Sequence, residues 1–389
     1  MNPLQLIGVL TLLLLSPENS NEVVINEAAV STWQTNCASE PGRVHRWTQI
    51  VGDLTIERLP AVSPTFRTGY ATTRHGDLIA FDLVSGEQFR FDTQAGSFVP
   101  VAAEGCTPFL TGTHWFWGGS SQLAACPLDG GECKIIPIAD GTFPFAYAEN
   151  SGHVLAATNY GDVLIFDGAD WCRCSRSGGD TYRCDPNEPM VTEPRRVQFY
   201  SSINYMGKTL VGEWPTGRLY EFDGEELRPA GIPQPPFVTG VSLGYEAQSM
   251  AEYCGDLFVG YWPRGEIWRL NRSTAEWSMA ARLFSHPVGE EYFYPYNDPF
   301  YGQRVSALVP LGHSLYAATS NLNSWPVGYM PIIMTEVQAA EYGAIHRLTI
   351  PGCETIEPAW SAFQATDKLC RNNAPCTPFC GVPPIDRSR

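Results

Sequence analysis

The chain has 389 residues, of which 25 are basic and 41 acidic, and its formal net charge is −16. A surface this negative repels nucleic acid and anionic lipid, so we exclude binding to either and expect neutral ligands or cations. The 36 glycines and 31 prolines, together with few apolar stretches of helical period, indicate an all-β chain with many turns.

The N-terminus carries one apolar run, from Met1 to Leu15. This run has the length of a signal-peptide core and is too short to span a bilayer comfortably. We therefore predict a signal peptide at residues 1–20 and a mature chain that is secreted or periplasmic and does not insert into a membrane. No Lys or Arg precedes the run and no Ala-x-Ala pattern follows it, so a retained anchor is the alternative.

Two segments that start 48 positions apart, residues 207–223 and 255–271, are nearly superimposable. Both contain a Trp-Pro pair with glycines in register on either side. A looser copy occupies residues 152–168, and another begins at Gly312 and resumes at Gly343. An internal period near 50 residues, built of short strands and glycine turns, is typical of a β-propeller.

The repeats predict six four-stranded blades over residues 60–360. In the clearest repeat the strands fall at residues 198–204, 209–213, 218–222 and 226–228. The N-terminal segment, residues 21–59, contains a strand-like stretch at 43–58 that either closes the ring or begins a seventh blade; we prefer six. Residues 361–389 form a Cys-rich C-terminal tail.

This organisation resembles the kelch-like and quinoprotein-like propellers, and also the repeats of secreted bacterial propellers that have the form G-x-L-x-x-G followed by G-x-L-x-x-F-D-G. The resemblance covers most of the mature chain, concerns the fold alone and carries no family's catalytic motif. It implies that the first strand of each blade lines a central channel. It also implies that the turn from strand two to strand three lies on the face where ligands bind.

Twelve cysteines in an exported chain indicate disulfides. Cys126 and Cys133 flank a turn and are expected to cross-link one hairpin. Cys172, Cys174 and Cys184 are close together in a polar segment, where disulfides are favoured and a metal site is the weaker alternative. We assign no residue to a metal site.

The turns from strand two to strand three place aromatic rings of several blades on one face: Trp214, Trp262, Trp325 and Tyr160. Flat rings suit the faces of sugars, since they give apolar contact and lose little side-chain entropy. The alternative is that each Trp packs against its own proline and the neighbouring blade, as repeated residues often do.

A loop between two blades adds Tyr292, Tyr294 and Tyr296 among three carboxylates, and Arg304 follows it. This loop is expected to bind a glycan, or Ca²⁺ through its oxygen ligands, which is the one cofactor considered. A rigid, proline-rich loop explains the composition equally well. Arg304 either clamps a ligand carboxylate or pairs with a neighbouring acid.

The sequence therefore predicts an extracellular recognition protein that binds a glycan or a protein ligand, with carbohydrate preferred, on the aromatic-rich face of a propeller. One alternative is a polysaccharide lyase or glycoside hydrolase, although no catalytic residue can be assigned. The other is a structural or protein-interaction module of a surface assembly.

Overall fold

The structure is a computed structural model that describes residues 48–51, 53–63, 69–74, 77–82, 87–102, 109–118, 121–238, 244–285, 303–320 and 336–353. In these residues the regular secondary structure is almost entirely β-strand, as the sequence predicts. One short α-helix, α1 (Glu336–Ala339), precedes the last strand. No helix in the described part is long and apolar enough to cross a membrane.

The strands, in chain order, are β1 (Thr48–Val51), β2 (Leu54–Arg58), β3 (Gly69–Arg74), β4 (Asp77–Asp82), β5 (Gln88–Asp92), β6 (Ser97–Val101), β7 (Phe109–Leu110), β8 (His114–Gly118), β9 (Gln122–Pro127), β10 (Lys134–Pro137), β11 (Pro144–Asn150), β12 (His153–Thr158), β13 (Val163–Phe166), β14 (Trp171–Ser177), β15 (Thr181–Cys184), β16 (Gln198–Tyr205), β17 (Lys208–Trp214), β18 (Leu219–Phe222), β19 (Glu226–Pro229), β20 (Glu246–Tyr253), β21 (Asp256–Trp262), β22 (Glu266–Leu270), β23 (Trp277–Arg282), β24 (Arg304–Leu311), β25 (Ser314–Ser320) and β26 (Ile345–Thr349).

Consecutive antiparallel strands form four-stranded meanders in β3–β6, β7–β10 and β20–β23. Strands β11–β14 and β16–β19 repeat the pattern, but β15 hydrogen bonds to both β14 and β19 and joins them into one nine-stranded sheet. The first strands of successive meanders contact one another, β11 with β16, β16 with β20, β20 with β24 and β24 with β3. This is propeller-like topology, while six separate four-stranded blades remain a prediction.

The N-terminal and C-terminal parts of the chain share one sheet. Strand β2 pairs with β26, with Thr55 opposite Thr349 and Arg58 opposite His346, and β1 adds a fifth strand outside β2. Strands from the two ends of the chain therefore stabilise each other through backbone hydrogen bonds. The predicted domain boundaries are not tested by this pairing and stay predictions.

Neighbouring sheets are held together by a serine and a glycine that recur in register. Ser201 Oγ donates to the carbonyl of Ala247 at 2.8 Å, and Ser249 Oγ donates to the carbonyl of Val305 at 2.7 Å. Gly212 and Gly260 lie beneath these contacts on the second strands. A Cβ on Gly260 would lie 2.5 Å from Ser249 Oγ and 2.6 Å from Val305 Cβ, so only glycine fits. Backbones can therefore approach closely enough for the serine bond to form.

A second inter-sheet contact recurs at the opposite end of the first strands. The hydroxyl of Tyr205 donates to the carbonyl of Gly255 at 3.2 Å, and that of Tyr253 donates to the carbonyl of His313 at 2.9 Å. Between the two levels the apolar side chains fill the space from sheet to sheet; Tyr253 and Phe258, for example, share a cluster with Val305. The core is thus a series of interfaces between sheets, as expected of repeats that bury apolar faces against their neighbours.

Two disulfides lie in the described residues. Cys126–Cys133 joins β9 to β10 across their turn, as the sequence predicts. Cys254–Cys353 joins the turn after β20 to the segment after β26, with a sequence separation of 99 residues. Both are compatible with export to an oxidising compartment.

Gly260→Ala should lower the free energy of unfolding by about 2–3 kcal/mol, because the new methyl group would overlap atoms of two strands in a filled interface. Gly112→Ala is the matched control, since a Cβ there meets no atom within 4 Å, and it should change stability by less than about 0.5 kcal/mol. Urea unfolding of the two variants measures the difference. Equal stabilities would contradict the close approach of the sheets.

His346 should make the fold acid-sensitive. It lies on β26 and is 1% exposed, and burial, with a smaller effect of the Arg58 charge, lowers its pKa to about 3. In the unfolded chain His346 is protonated as pH falls through about 6.5, whereas in the folded chain it stays neutral until about pH 3. The free energy of unfolding therefore falls as pH drops from 6.5 towards 3. Between these pH values, His346→Gln should reduce the slope of the free energy of unfolding against pH by up to about 1.4 kcal/mol per pH unit. The measurement is urea unfolding at pH 7, 6 and 5. A constant difference between the two proteins would contradict the assignment.

Candidate functional site

Four first strands carry an irregularity of the same kind within their first three residues. The register with the second strand shifts between Pro144 and Ala146 in β11, and three equivalent shifts occur at Phe199/Ser201, Ala247/Ser249 and Val305/Ala307. A bulge bends its strand and re-aims the side chain inside it. The side chains inside these four bulges belong to Phe145, Tyr200, Gln248 and Ser306. We call the end of the molecule where first strands begin and second strands end the rim.

Aromatic rings meet at the rim on the side of β11 and β16. The centroids of Phe145 and Tyr200 lie 4.6 Å apart with 32° between the ring planes, and Phe143 contacts Phe145 edge-on at 5.9 Å. Phe143 and Phe145 are half-buried, whereas Tyr200 is buried. Two adjacent meanders thus contribute to one aromatic cluster that keeps part of its surface in solvent.

A chain of hydrogen bonds fixes the polar edge of this cluster. The Tyr200 hydroxyl donates to Gln198 Oε1 at 2.6 Å, and Gln198 Nε2 donates to the carbonyl of Asn159 at 2.5 Å. Because both polar ends of the Gln198 amide are engaged, its orientation is set. The half-buried amide therefore lies beside the rings as a preorganised polar group.

A charged pair continues the rim from β20 to β24. Arg304 Nη2 lies 3.3 Å from Glu246 Oε2, and the two side chains are 12% and 2% exposed. Charges this buried are retained when they are paired, and Glu246 and Arg304 are ion-pair partners of each other. Glu246 is opposite Trp262 in the strand register and Arg304 is opposite Ser320, which places four side chains in one row across two sheets.

Beside the charged pair, one side-chain atom on each of the two outer residues of that row has no hydrogen-bond partner within the described part of the chain. These are Trp262 Nε1 and Ser320 Oγ, both buried. Buried polar groups are nearly always satisfied, so such groups mark a place where a further polar group is expected. They flank the Glu246–Arg304 pair on both sides.

Each described residue of the predicted site lies at the rim. Trp214 is half-buried at the end of β17 opposite Gln198, and Trp262 is buried at the end of β21. Tyr160 is half-buried next to Asn159, to which Gln198 bonds. Arg304 pairs with an acid, which is the alternative the sequence left open. Ligand binding by these residues stays a prediction, and Tyr292, Tyr294, Tyr296 and Trp325 lie outside the described residues.

Phe145, Gln198, Gln248 and Glu246 were not among the residues predicted from the sequence. The sequence does relate two of the bulge residues, because Tyr200 and Gln248 are separated by the same 48 positions as the two clearest repeats. Alignment of the repeats alone does not show that these positions sit in bulges. Only the strand register shows that they leave the regular alternation and converge at the rim.

A buried carboxylate fixes the turn that carries Trp214. Glu213 is 3% exposed, and its Oε2 accepts from the amide of Thr216 at 3.1 Å and from the Thr216 hydroxyl at 2.5 Å. Burial raises the pKa of Glu213, while the hydrogen bonds from Thr216 oppose that shift.

In the described residues no group of three or more His, Cys, Asp or Glu side chains could hold a metal ion.

No known protein family matches the chain, and no curated protein matches it significantly. Solved structures with some likeness include the extracellular domain assigned to a one-component system of B. thetaiotaomicron, at 10% identity and a TM-score of 0.36, covering 68% of this chain and 32% of that one. This chain therefore spans about a third of the length of that domain.

Two further structures are similar over most of both chains. BamB from Moraxella catarrhalis matches at 12% identity and a TM-score of 0.34, covering 80% of this chain and 81% of BamB. The calcium-binding protein regucalcin from Agrobacterium tumefaciens matches at 12% identity and a TM-score of 0.37, covering 78% and 96%. At such scores no property of these proteins is carried over to this chain.

Glu213→Gln should gain stability relative to the natural protein as pH rises. A carboxyl whose folded pKa is raised stabilises the fold below the ordinary value of 4.5 and loses that contribution as pH rises through the folded pKa. Glutamine keeps an acceptor for Thr216 and carries no charge at any pH. The difference in Tm between variant and natural protein should therefore be more positive at pH 8 than at pH 4, as measured by thermal unfolding. A difference that shrinks with pH would contradict the burial of a charged carboxylate.

Proposed function

We propose that this protein is an exported recognition protein, built as a propeller of six four-stranded blades, which binds a carbohydrate at its rim. The observation that carries the proposal is the partly exposed aromatic cluster of Phe143, Phe145 and Tyr200 beside the fixed amide of Gln198. Aromatic rings with oriented polar groups at their edge are suited to bind a sugar. The sugar ring presents an apolar face to the aromatic rings, and its hydroxyls can hydrogen bond to the polar groups.

The charge at the rim favours a neutral sugar over an acidic one. Arg304 is already matched by Glu246 at 3.3 Å, so its guanidinium carries no unmatched positive charge towards a ligand. The net charge of −16 further opposes an anionic polysaccharide. A neutral glycan avoids both costs, because its hydroxyls can donate to and accept from amide and carboxylate groups without bringing charge.

Export is supported by the N-terminal apolar run and by the two disulfides of the described residues. An extracellular or periplasmic location would place the rim where polysaccharides and glycoproteins are found. The alternative classes, a carbohydrate-active enzyme or a protein-binding module, differ in what happens to a bound glycan, and one experiment separates them.

Phe145→Ala should weaken glycan binding by roughly tenfold, because a stacked aromatic contact is worth about 0.5–1.5 kcal/mol beyond its buried area. Tyr200→Phe keeps the ring and removes only the hydroxyl that orients Gln198, so a smaller loss is expected. Binding is measured by calorimetry with neutral glycans selected on an array that also displays acidic ones.

Met206→Ala is the matched control. Met206 is 56% exposed in the turn after β16, at the far end of the strand that carries Tyr200, and its removal should leave binding unchanged. All variants are checked for an unchanged Tm. The proposal would be overturned if Phe145→Ala and Met206→Ala lost binding to the same extent. It would also be overturned if the natural protein bound no neutral glycan. Cleavage of the bound glycan would favour the enzyme class instead.

A further inference from the structure

Three cysteines lie on the hairpin that joins two meanders. Strand β14 carries Cys172 and Cys174, and β15 ends at Cys184. Strand β15 also pairs with β19, with Tyr182 opposite Leu227 and Arg183 opposite Glu226. Through these hydrogen bonds the hairpin connects the meander that begins with β11 to the meander that begins with β16. None of the three cysteines is in a disulfide in the structure.

The strand register places two of these sulfurs directly opposite each other. Cys174 is the Cα partner of Cys184, and in the next position the amide of Asp185 donates to the carbonyl of Arg173 at 2.8 Å. Positions next to such a hydrogen-bonded pair are non-hydrogen-bonded pairs, in which the Cα atoms are about 4.5 Å apart. That separation lies within the range of disulfides, roughly 4.4–6.8 Å.

Cys172 lies two residues before Cys174, so it is on the same face of β14 and diagonal to Cys184, at a Cα separation of about 7–8 Å. A Cys172–Cys184 bond therefore requires the end of β15 to move towards Cys172. Cys174 is buried, Cys172 is half-buried and Cys184 is exposed. Hydrogen bonds from Cys174 and then Cys172 lower the pKa of Cys184 to about 6, although burial opposes them. Burial, with the hydrogen bond to Cys184, raises the pKa of Cys172 to about 12, and the pKa of Cys174 is raised chiefly by its bond to Cys184.

We propose that Cys172, Cys174 and Cys184 form a thiol–disulfide exchange site in which Cys184 is the exposed reactive sulfur and the other two are its alternative intramolecular partners. The proposal is independent of the carbohydrate site at the rim. It requires an external disulfide of low molecular weight as the oxidant. Its basis is the juxtaposition of one exposed sulfur with two inner ones, which a simple structural disulfide does not need.

The Cys184 thiolate attacks the external disulfide, forms a mixed disulfide and releases one small thiolate. Cys174 then gives up its proton to solvent and attacks the Cys184 sulfur, which forms Cys174–Cys184 and releases the second small thiolate. In the exchange step deprotonated Cys172 attacks the Cys184 sulfur, Cys172–Cys184 forms, and Cys174 departs as a thiolate that takes up a proton.

The exchange would change how β15 is attached to β14, and therefore how the two meanders are joined. A Cys174–Cys184 bond fastens β15 to β14 across a direct pair, while a Cys172–Cys184 bond pulls the end of β15 along the diagonal. Strand β15 is held to β19 by its own pairing and by the exposed ion pair of Arg183 with Glu226, at 2.5 Å. The site is thus located where β15 joins the two meanders of the nine-stranded sheet.

The test uses the full exported chain, reduced and then oxidised with oxidised glutathione, quenched in acid, alkylated and digested with trypsin. Cleavage after Arg173, Arg176 and Arg183 puts each cysteine on its own peptide. We expect two linked pairs, Cys174–Cys184 and Cys172–Cys184. Cys172→Ser should leave only the first and Cys174→Ser only the second. Cys184→Ser should remove both and slow the initial reaction with an aromatic disulfide reagent at neutral pH by about tenfold or more.

The Cys126–Cys133 disulfide is the internal control, since it should form in every variant if oxidation has proceeded. Mapping of the natural protein does not depend on how any variant folds. A Cys174→Ser protein in which Cys172 and Cys184 both stay alkylated as single thiols would overturn the exchange. A link from any of the three to another cysteine, such as Cys37, would overturn the site itself.

Discussion

The close approach of neighbouring sheets through a glycine and a serine governs the rest of the molecule. At Gly212 and Gly260 the second strand has no side chain, so the first strand of the next sheet reaches it, and the serine hydroxyls of Ser201 and Ser249 bond to that strand's carbonyl groups. A hydroxyl bonded in this way supplies a donor to a buried backbone carbonyl of the neighbouring sheet. The spacing of β16, β20 and β24 follows from this contact.

The rim depends on that spacing. The serines of the inter-sheet bonds come directly after the bulges in β16 and β20, so the residue inside each bulge is held beside a fixed backbone. Phe145 can therefore meet Tyr200 across two meanders, and Arg304 can meet Glu246 across the next two. The same register that builds the core converts a repeated irregularity into a convergent set of rings, amides and paired charges.

The hairpin of β14 and β15 is the exception to the repeat. Its strand β15 belongs to no four-stranded meander and instead connects two of them through hydrogen bonds on both edges. Departures from a regular pattern are where function tends to reside, since regular packing alone does not require them. Here the departure places three thiols together where β15 pairs with the last strand of a meander.

The amino-acid sequence by itself determined the all-β class, the repeat and the Cys126–Cys133 bond, because glycine turns, alternating strands and a short Cys-turn-Cys segment are local signals. It also placed Trp214, Trp262, Tyr160 and Arg304 at one end of the molecule. Only the tertiary structure decided that β15 fuses two meanders, that Trp262 is buried, and that Phe145 and Glu246 belong with these residues. Bulges and inter-sheet contacts bring together residues tens of positions apart, and no local pattern encodes which of them meet.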